Sequence, residues 1–481
     1  MVYWCNIARV TIDMLPDVAL LRIFDFYMGA DEDQIDAWHT LVHVSREWRN
    51  IVFGSPHRLD LQLLCTNGTP VRKMLDVWPL LPISVRTIRS KSNLDNILAA
   101  LEHNDRIRQL QLHLTMRPSG DASRIQLQEQ IWVAMQQPFP ALTNLQFWFH
   151  YGLETWWVAD RDSFLGGSAP SLRTLLLDSI PFLGLPKILL SATHLVDLHL
   201  REIPLSPEEM LSAFSTLTKL EKIYIETSID MVQSGRHPPQ LTRTLLPALT
   251  TFEFKGFYYE YFEYLAAGID TPLLDDLDIT FLDYSTVTSD YPQLIQLISR
   301  TPKFKAQDRA RVVFDNHEVW VTLPQTSNGR LSLGLSSFLV ADWHLWSLTP
   351  VCKPSFPQSL LLAVEHLYLF GPSLGMAGCD DWKDREWVEI FRPFPAVKSL
   401  YICYSFASKI ARSLEELVGE RVTEVLPALE SLFIEEMPPL GPIQEAFGLF
   451  VVARQLSGRP ITVCRWEGVR DVWKDEFRSE M

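Results

Sequence analysis

His39 and His43 stand four residues apart, the spacing at which two imidazoles on one helix can share a metal ion. No glutamate lies between them and no third ligand stands nearby, so a solvated or packing pair is the expected role. Asp275, Asp276 and Asp278 could gather a cation, but calcium-loop spacing is absent and a solvated strand edge is expected instead. Asp380, Asp381 and Asp384 read as the acidic start of a helix, where the dipole favours them. The run WWVAD at 156–160 offers ring faces for stacking, although burial in a core is the expected use. Glycine-rich phosphate loops, GxSxG elbows and HExxH are all missing from the sequence. No catalytic residue, metal or cofactor is therefore expected. A hydrolase or transferase site within 305–345 would need a nucleophile–base set that is not visible there.

The six cysteines, Cys5, Cys65, Cys352, Cys379, Cys403 and Cys464, include no CxxC pair. That is neither a zinc pattern nor a disulfide framework for so long a chain, and a reducing compartment, cytosol or nucleus, is expected. The first sixteen residues do not read as a secretory signal, and no apolar run of about 18 residues predicts a membrane span. Forty-three basic against 58 acidic residues give a net charge of −15, which argues against a broad nucleic-acid surface. With 47% hydrophobic and 21% charged residues over 481 positions, the chain can build a large core.

What remains is recognition of another protein, and the elements that would carry it begin near the N-terminus. Pro16 suits a first helical turn and Asp17 the positive end of its dipole. Val18, Leu21 and Met28 can lie on one side of this helix, and Leu20, Ile23, Phe24 and Tyr27 on another. Two apolar faces call for two partners. An acidic loop, Asp31–Asp36, precedes a second helix with Trp38, Leu41 and Val42. Ser45 can cap a third helix carrying Trp48, Ile51 and Val52, which Gly54-Ser55-Pro56 ends.

The run Leu15-Pro16, Leu20, Ile23-Phe24, Leu41, Val44-Ser45 and Trp48 resembles an F-box, and its text is similar to F-box proteins of mushroom-forming (basidiomycete) fungi, where cysteine is frequent in place of Ser45. The resemblance implies docking onto a Skp-family adaptor of a cullin–RING ubiquitin ligase. Carried over by position, Leu15, Pro16, Leu20, Ile23 and Phe24 would face the adaptor, with Leu41 and Trp48 near or beneath that surface. The alternative for the same helices is a cap that shields the domain behind them.

The rest of the chain repeats the pattern apolar-x-x-apolar-x-apolar. Copies start at Leu142, Leu172, Leu195, Leu220, Leu249 and Leu274, spaced 30, 23, 25, 29 and 25 residues apart, and again at Val364, Val397 and Leu429. The phrases FPALTNL, APSLRTL, LPALTTF, FPAVKSL and LPALESL introduce several of them. Leucine-rich repeats run about 20–29 residues, each a strand plus a return helix. Outer helices are predicted over 93–103, 125–136, 207–217, 292–299, 382–390, 407–418 and 443–456. Strands are predicted directly behind the helices, at 59–65 and 85–88, so the F-box is expected to be held rigidly against the first repeats. Between 305 and 340 the text alternates, which fits either a β-hairpin insertion or degenerate repeats joined edge to edge.

The expected fold is thus α/β. A short all-α F-box (15–56) follows an N-terminal extension (1–14) and precedes an irregular leucine-rich-repeat solenoid (57–466), with a charged tail (467–481) after it. Strand residues between core positions would form a concave face for an unknown protein target, including Trp148, His199, Arg201, Tyr224, Lys255, Tyr368 and Tyr401. The expected function is a substrate receptor of a ubiquitin ligase, with catalysis by proximity and without nucleic-acid or membrane partners. The alternative is a scaffold or sensor that uses the same repeats without ligase activity.

Overall fold

A turn phrase sets the architecture. In Phe139-Pro140-Ala141-Leu142 the proline presets φ at the second turn position, and the Leu142 N–H donates to the Phe139 carbonyl at 3.2 Å. The same turn recurs at Ala169–Leu172 (3.1 Å), Leu246–Leu249 (3.4 Å), Phe394–Val397 (3.4 Å) and Leu426–Leu429 (3.0 Å). The residue after each turn then joins its neighbours. The Thr143 carbonyl accepts from both Arg173 and Thr174, and the Lys398 carbonyl from both Glu430 and Ser431. Each copy is thereby locked in register to the next, and only then do the strands begin.

The computed structural model describes residues 15–29, 37–54, 61–89, 91–115, 122–150, 163–180, 184–227, 242–282, 291–314, 318–324, 329–336, 358–371, 384–417, 419–435 and 442–466. The extension 1–14, the loop Asp31–Asp36, the run 156–160, Asp380-Asp381 and the tail 467–481 lie outside the described residues. The chain forms two compact units, Met1–Leu195 and Val196–Met481.

The first unit opens with α1 (Asp17–Gly29), α2 (Ala37–Val44) and α3 (Arg46–Gly54), which pack on one another. The Pro16 carbonyl starts α1 by accepting from Ala19 and Leu20, and the Ser45 hydroxyl caps α3 by accepting from the Trp48 N–H at 3.1 Å. Strands β1 (Leu61–Leu64), β2 (Ile83–Arg86), β3 (Ile107–Thr115), β4 (Asn144–His150) and β5 (Thr174–Asp178) follow as a parallel ladder in sequence order. Leu63, Val85, Leu110, Leu145 and Leu175 sit side by side across it, all buried. Helices α4 (Val71–Val77), α5 (Leu94–Leu101), α6 (Ala122–Ala134) and α7 (Leu185–Ser191) make the return crossings with a 3-10 turn at Phe164–Gly167. Trp132 of α6 lies against Phe147 and Phe149 of β4, so the buried strand face looks toward the helices.

The second unit continues the plan with β6 (Asp197–Arg201), α8 (Pro207–Phe214), β7 (Lys222–Thr227), β8 (Thr244–Leu245), β9 (Thr251–Gly256), α9 (Tyr259–Gly268), β10 (Ile269–Asp270), β11 (Asp276–Phe281) and α10 (Pro292–Arg300). β8 and β10 pair only with each other. Ser206 and Glu209 form a reciprocal capping box on α8, at 3.2 and 2.9 Å. Ser206→Ala is expected to cost about 1 kcal/mol, read as a lower thermal midpoint.

Residues 309–336 take neither of the two expected forms in full. β12 (Arg309–Phe314), β13 (Glu318–Pro324) and β14 (Arg330–Ser336) occupy three positions of the ladder itself, in the spatial order β11-β14-β13-β12. β14 runs parallel to β11, and only β13 is antiparallel to its neighbours. The chain overshoots two positions after α10 and fills them by folding back. Leu277, Leu331, Leu323 and Leu333 stay buried on the same core. The regular plan resumes with α11 (Gln358–Leu361), β15 (His366–Phe370), α12 (Asp384–Phe391), β16 (Ser399–Ile402), α13 (Tyr404–Glu415), a 3-10 turn at Gly419–Thr423, β17 (Ser431–Glu435), α14 (Pro442–Leu456) and β18 (Thr462–Trp466). No described helix is long and apolar enough to cross a membrane.

Candidate protein-binding surface

On every regular strand the apolar triplet faces the helices, so the residues between point the other way. In the first unit this face carries His113 and Trp148, whose rings stack at 4.0 Å and 7°. Arg86 donates to the Gln111 side chain beside them at 2.9 Å.

The second unit carries three patches. At its start His199 stacks on Tyr224 at 3.9 Å, and the Tyr224 hydroxyl donates to Glu226 at 2.6 Å, which also pairs with Arg201 at 3.2 Å. Burial first, then the bond to Glu226, pushes the Tyr224 phenol above its ordinary range, so it stays a donor. Lys255 lies in register between Glu226 and Thr280. The middle patch is a set of ion pairs. Asp275 meets Lys303 at 2.9 Å, and Arg330 meets Asp276 at 3.1 Å and Asp278 at 3.4 Å. The expected solvated strand edge is not what forms: β11 lies inside the ladder between β9 and β14, and these carboxylates are held by cations of the chain itself.

The third patch is apolar. Tyr368, Tyr401 and Phe433, one from each of β15, β16 and β17, stack at 4.3 and 4.5 Å with planes 10° and 7° apart. Trp466 reaches back from β18 to stand edge-on to Tyr401 at 5.4 Å and 69°, and it touches Tyr368 and Phe370 as well. All five rings are half-buried. A half-buried row of stacked rings, with Tyr368 hydrogen-bonded to Tyr401 inside it, suits a protein segment with apolar groups. The strand alternation reveals Tyr368 and Tyr401. The part played by Phe370 and Trp466 depends on how far the indole extends, and no sequence pattern reports that.

The N-terminal helices divide the five residues expected to face an adaptor. Leu20 and Phe24 do not face outward: both are buried, and the Phe24 ring packs on Trp48 at 4.7 Å. Leu41 is also interior and Trp48 half-buried, while Leu15 is half-buried at the helix start. The cause is geometric. Leu20 and Phe24 are one turn apart and form the stripe against which α2 and α3 close. Apolar surface is instead offered by Pro16, Val18 (67% exposed), Ile23 (42%) and Val44 (56%).

Among the described residues no three His, Cys, Asp or Glu side chains gather as a metal site. His43 is exposed. Cys65 and Cys403 are buried, and burial pushes the Cys65 thiol up to about 12. In the folded protein at pH 8 iodoacetamide is expected to label Cys464 well before Cys65 or Cys403, as site-resolved mass spectrometry would report.

A mostly parallel ladder of short strands with helical return crossings is the plan of a leucine-rich-repeat-like stack. No family model matches the chain, and no curated protein matches it. Among solved structures it is similar to the leucine-rich-repeat-containing protein LegL7 from Legionella pneumophila, at 12% identity over 84% of this chain and 99% of that one, with a TM-score of 0.28. The assignment above rests on the ladder and not on this distant likeness.

Proposed function

We propose that the chain is a non-catalytic receptor that holds a protein target on the strand face of its second unit. The observation that carries this reading is the aromatic row Tyr368–Tyr401–Phe433 with Trp466 across it, a half-buried apolar patch on the strand face. Binding energy concentrates on such aromatic anchors. In its finer form, the proposal has α1–α3 dock onto a Skp-family adaptor of a cullin–RING ligase in the cytosol or nucleus, where the bound target is modified by proximity. The exposed apolar residues Pro16, Val18, Ile23 and Val44 support that docking, because Leu20 and Phe24 already satisfy the interior.

The test uses the full-length chain and a purified Skp-family adaptor in titration calorimetry. Wild type is expected to bind, and Val18→Asp with Ile23→Asp to weaken binding at least about 30-fold while the helical circular dichroism is kept. Phe24 is unsuitable for this purpose, since its loss would loosen the helices themselves. If wild type fails to bind, the receptor is a scaffold without ligase activity.

A further inference from the structure

The aromatic patch of the second unit contains a corner that its stacked row does not fill. Tyr401 covers one face of Tyr368 at 4.3 Å and 10°. Phe370, two residues further along β15, lies parallel to Tyr368 (4°) and so looks the same way, across β16. Beside Phe370, however, β16 has already ended at Ile402, and Cys403 leads into α13. The place of a further stacked ring is approached instead by Trp466, which leans back from β18. Its indole stands 6.1 Å and 59° from Phe370 and 6.3 Å and 60° from Tyr368, too far and too inclined for a stack. Two parallel rings and one inclined indole thus make a half-buried corner over the end of β16.

The three ring centres are 6.4, 6.3 and 6.1 Å apart, so a charge seated ~4 Å out from the middle of that triangle lies within about 6 Å of all of them, the range of cation–π attraction. Glu435 adds a full negative charge. It neighbours Trp466 in register, and its half-buried carboxylate reaches back to β16, where it accepts from the Tyr404 N–H at 3.4 Å. The like charge nearby is Arg311, which lies beside Tyr368 on the side away from β16; the neighbour of Phe370 on that side is the uncharged Val313. The net charge of −15 favours approach of a cationic segment. A bare ammonium brings three N–H donors and a tight hydration shell, and one carboxylate among rings satisfies few of them. A methylated ammonium has fewer donors or none, and its methyl groups and aliphatic stem suit ring surfaces. We propose that this corner takes a methylated lysine side chain of the bound protein, an inference that rests on the receptor reading of the same patch.

Three small probes test this on the full-length chain by ligand-observed NMR titration: N-acetyl-trimethyllysine amide, its uncharged isostere with carbon in place of the quaternary nitrogen, and N-acetyl-lysine amide. The trimethylammonium probe is expected to bind at least about fivefold tighter than either of the others. Trp466→Leu, which keeps an apolar side chain but removes the indole, and Glu435→Gln are each expected to cut the preference over the isostere by at least about threefold. A circular dichroism melt checks that both variants stay folded, and the comparison of probes on wild type needs no variant at all. Equal affinity for the trimethylammonium probe and its carbon isostere overturns the cation site, yet leaves an apolar patch that still serves the receptor reading. Lysine binding as tightly as its trimethylated form overturns the preference for methylation. If none of the three probes binds, the corner is not a site, and the receptor reading loses the observation that carries it.

Discussion

Replacing Trp387 by alanine is expected to cost about 3–5 kcal/mol and to unravel the second unit locally. Trp387 lies on α12, fully buried, with its ring 5.8 Å from Phe314 and 5.1 Å from Phe406, which are themselves 5.0 Å apart. The three rings come from α12, β12 and α13, so they join the folded-back strands to the regular repeats that resume after them. Removing the indole loses its burial and its two ring contacts and leaves a cavity that two tilted phenylalanines cannot collapse into. In a repeat stack each copy leans mainly on its neighbours. Hydrogen exchange should therefore speed up in β12, β15 and β16 and stay nearly unchanged in β6, β7 and β9. Trp387→Phe should lose less than half as much. A uniform change across the unit, or a loss below about 1 kcal/mol in urea titration, would show that this cluster does not hold the junction.

The junction was the part of the fold least legible in the sequence. The regular copies announce themselves through a proline turn and an apolar triplet, both local signals, and every triplet residue from Leu142 to Ile279 is buried as its spacing requires. Seven outer helices also stand within three residues of their expected starts, because their apolar spacing is unambiguous. Helices α4, α7 and α9 escape that reading, as does the four-residue α11. The first two have seven residues each, and α9 (YEYFEYLAAG) is rich in aromatics that suit strands equally well. For 309–336 the alternation correctly gives strands, but their spatial order depends on which neighbours they meet, and no local pattern encodes that. The N-terminal helices show a related limit. The sequence shows two apolar faces on α1, and nothing local decides which face α2 and α3 will cover; the structure assigns Leu20 and Phe24 to the inside.

Arg454 gives the second large effect, and its sign depends on a competition. Its side chain is fully buried in α14 and donates to the carbonyls of Leu429 at 2.8 Å and of Val422 and Leu426 at 3.5 Å. Those carbonyls belong to the turn and 3-10 segment of the preceding copy, where Leu426 sits at φ 49°, a left-handed conformation unusual for leucine. Arg106 does the same for Leu81 and Pro79, and Arg300 for Ala266 and Ile269. An arginine behind a helix thus recurs as the donor that satisfies a turn which cannot pair internally. Burial lowers the pKa of Arg454, so the charge itself is held at a cost. Arg454→Ala removes the donors and leaves a cavity, and about 4 kcal/mol is expected. Arg454→Met keeps most of the volume and relieves the desolvation, leaving only the unpaired carbonyls, for about 2 kcal/mol. Arg454→Lys should not restore wild-type stability, because a single ammonium cannot replace the planar fork across three carbonyls. Urea titrations of the three variants decide it. If methionine proves neutral or stabilising, the carbonyls find other partners and the charge is retained at a net cost. If methionine is as damaging as alanine, the hydrogen bonds to the turn, rather than packing, are what the buried guanidinium supplies.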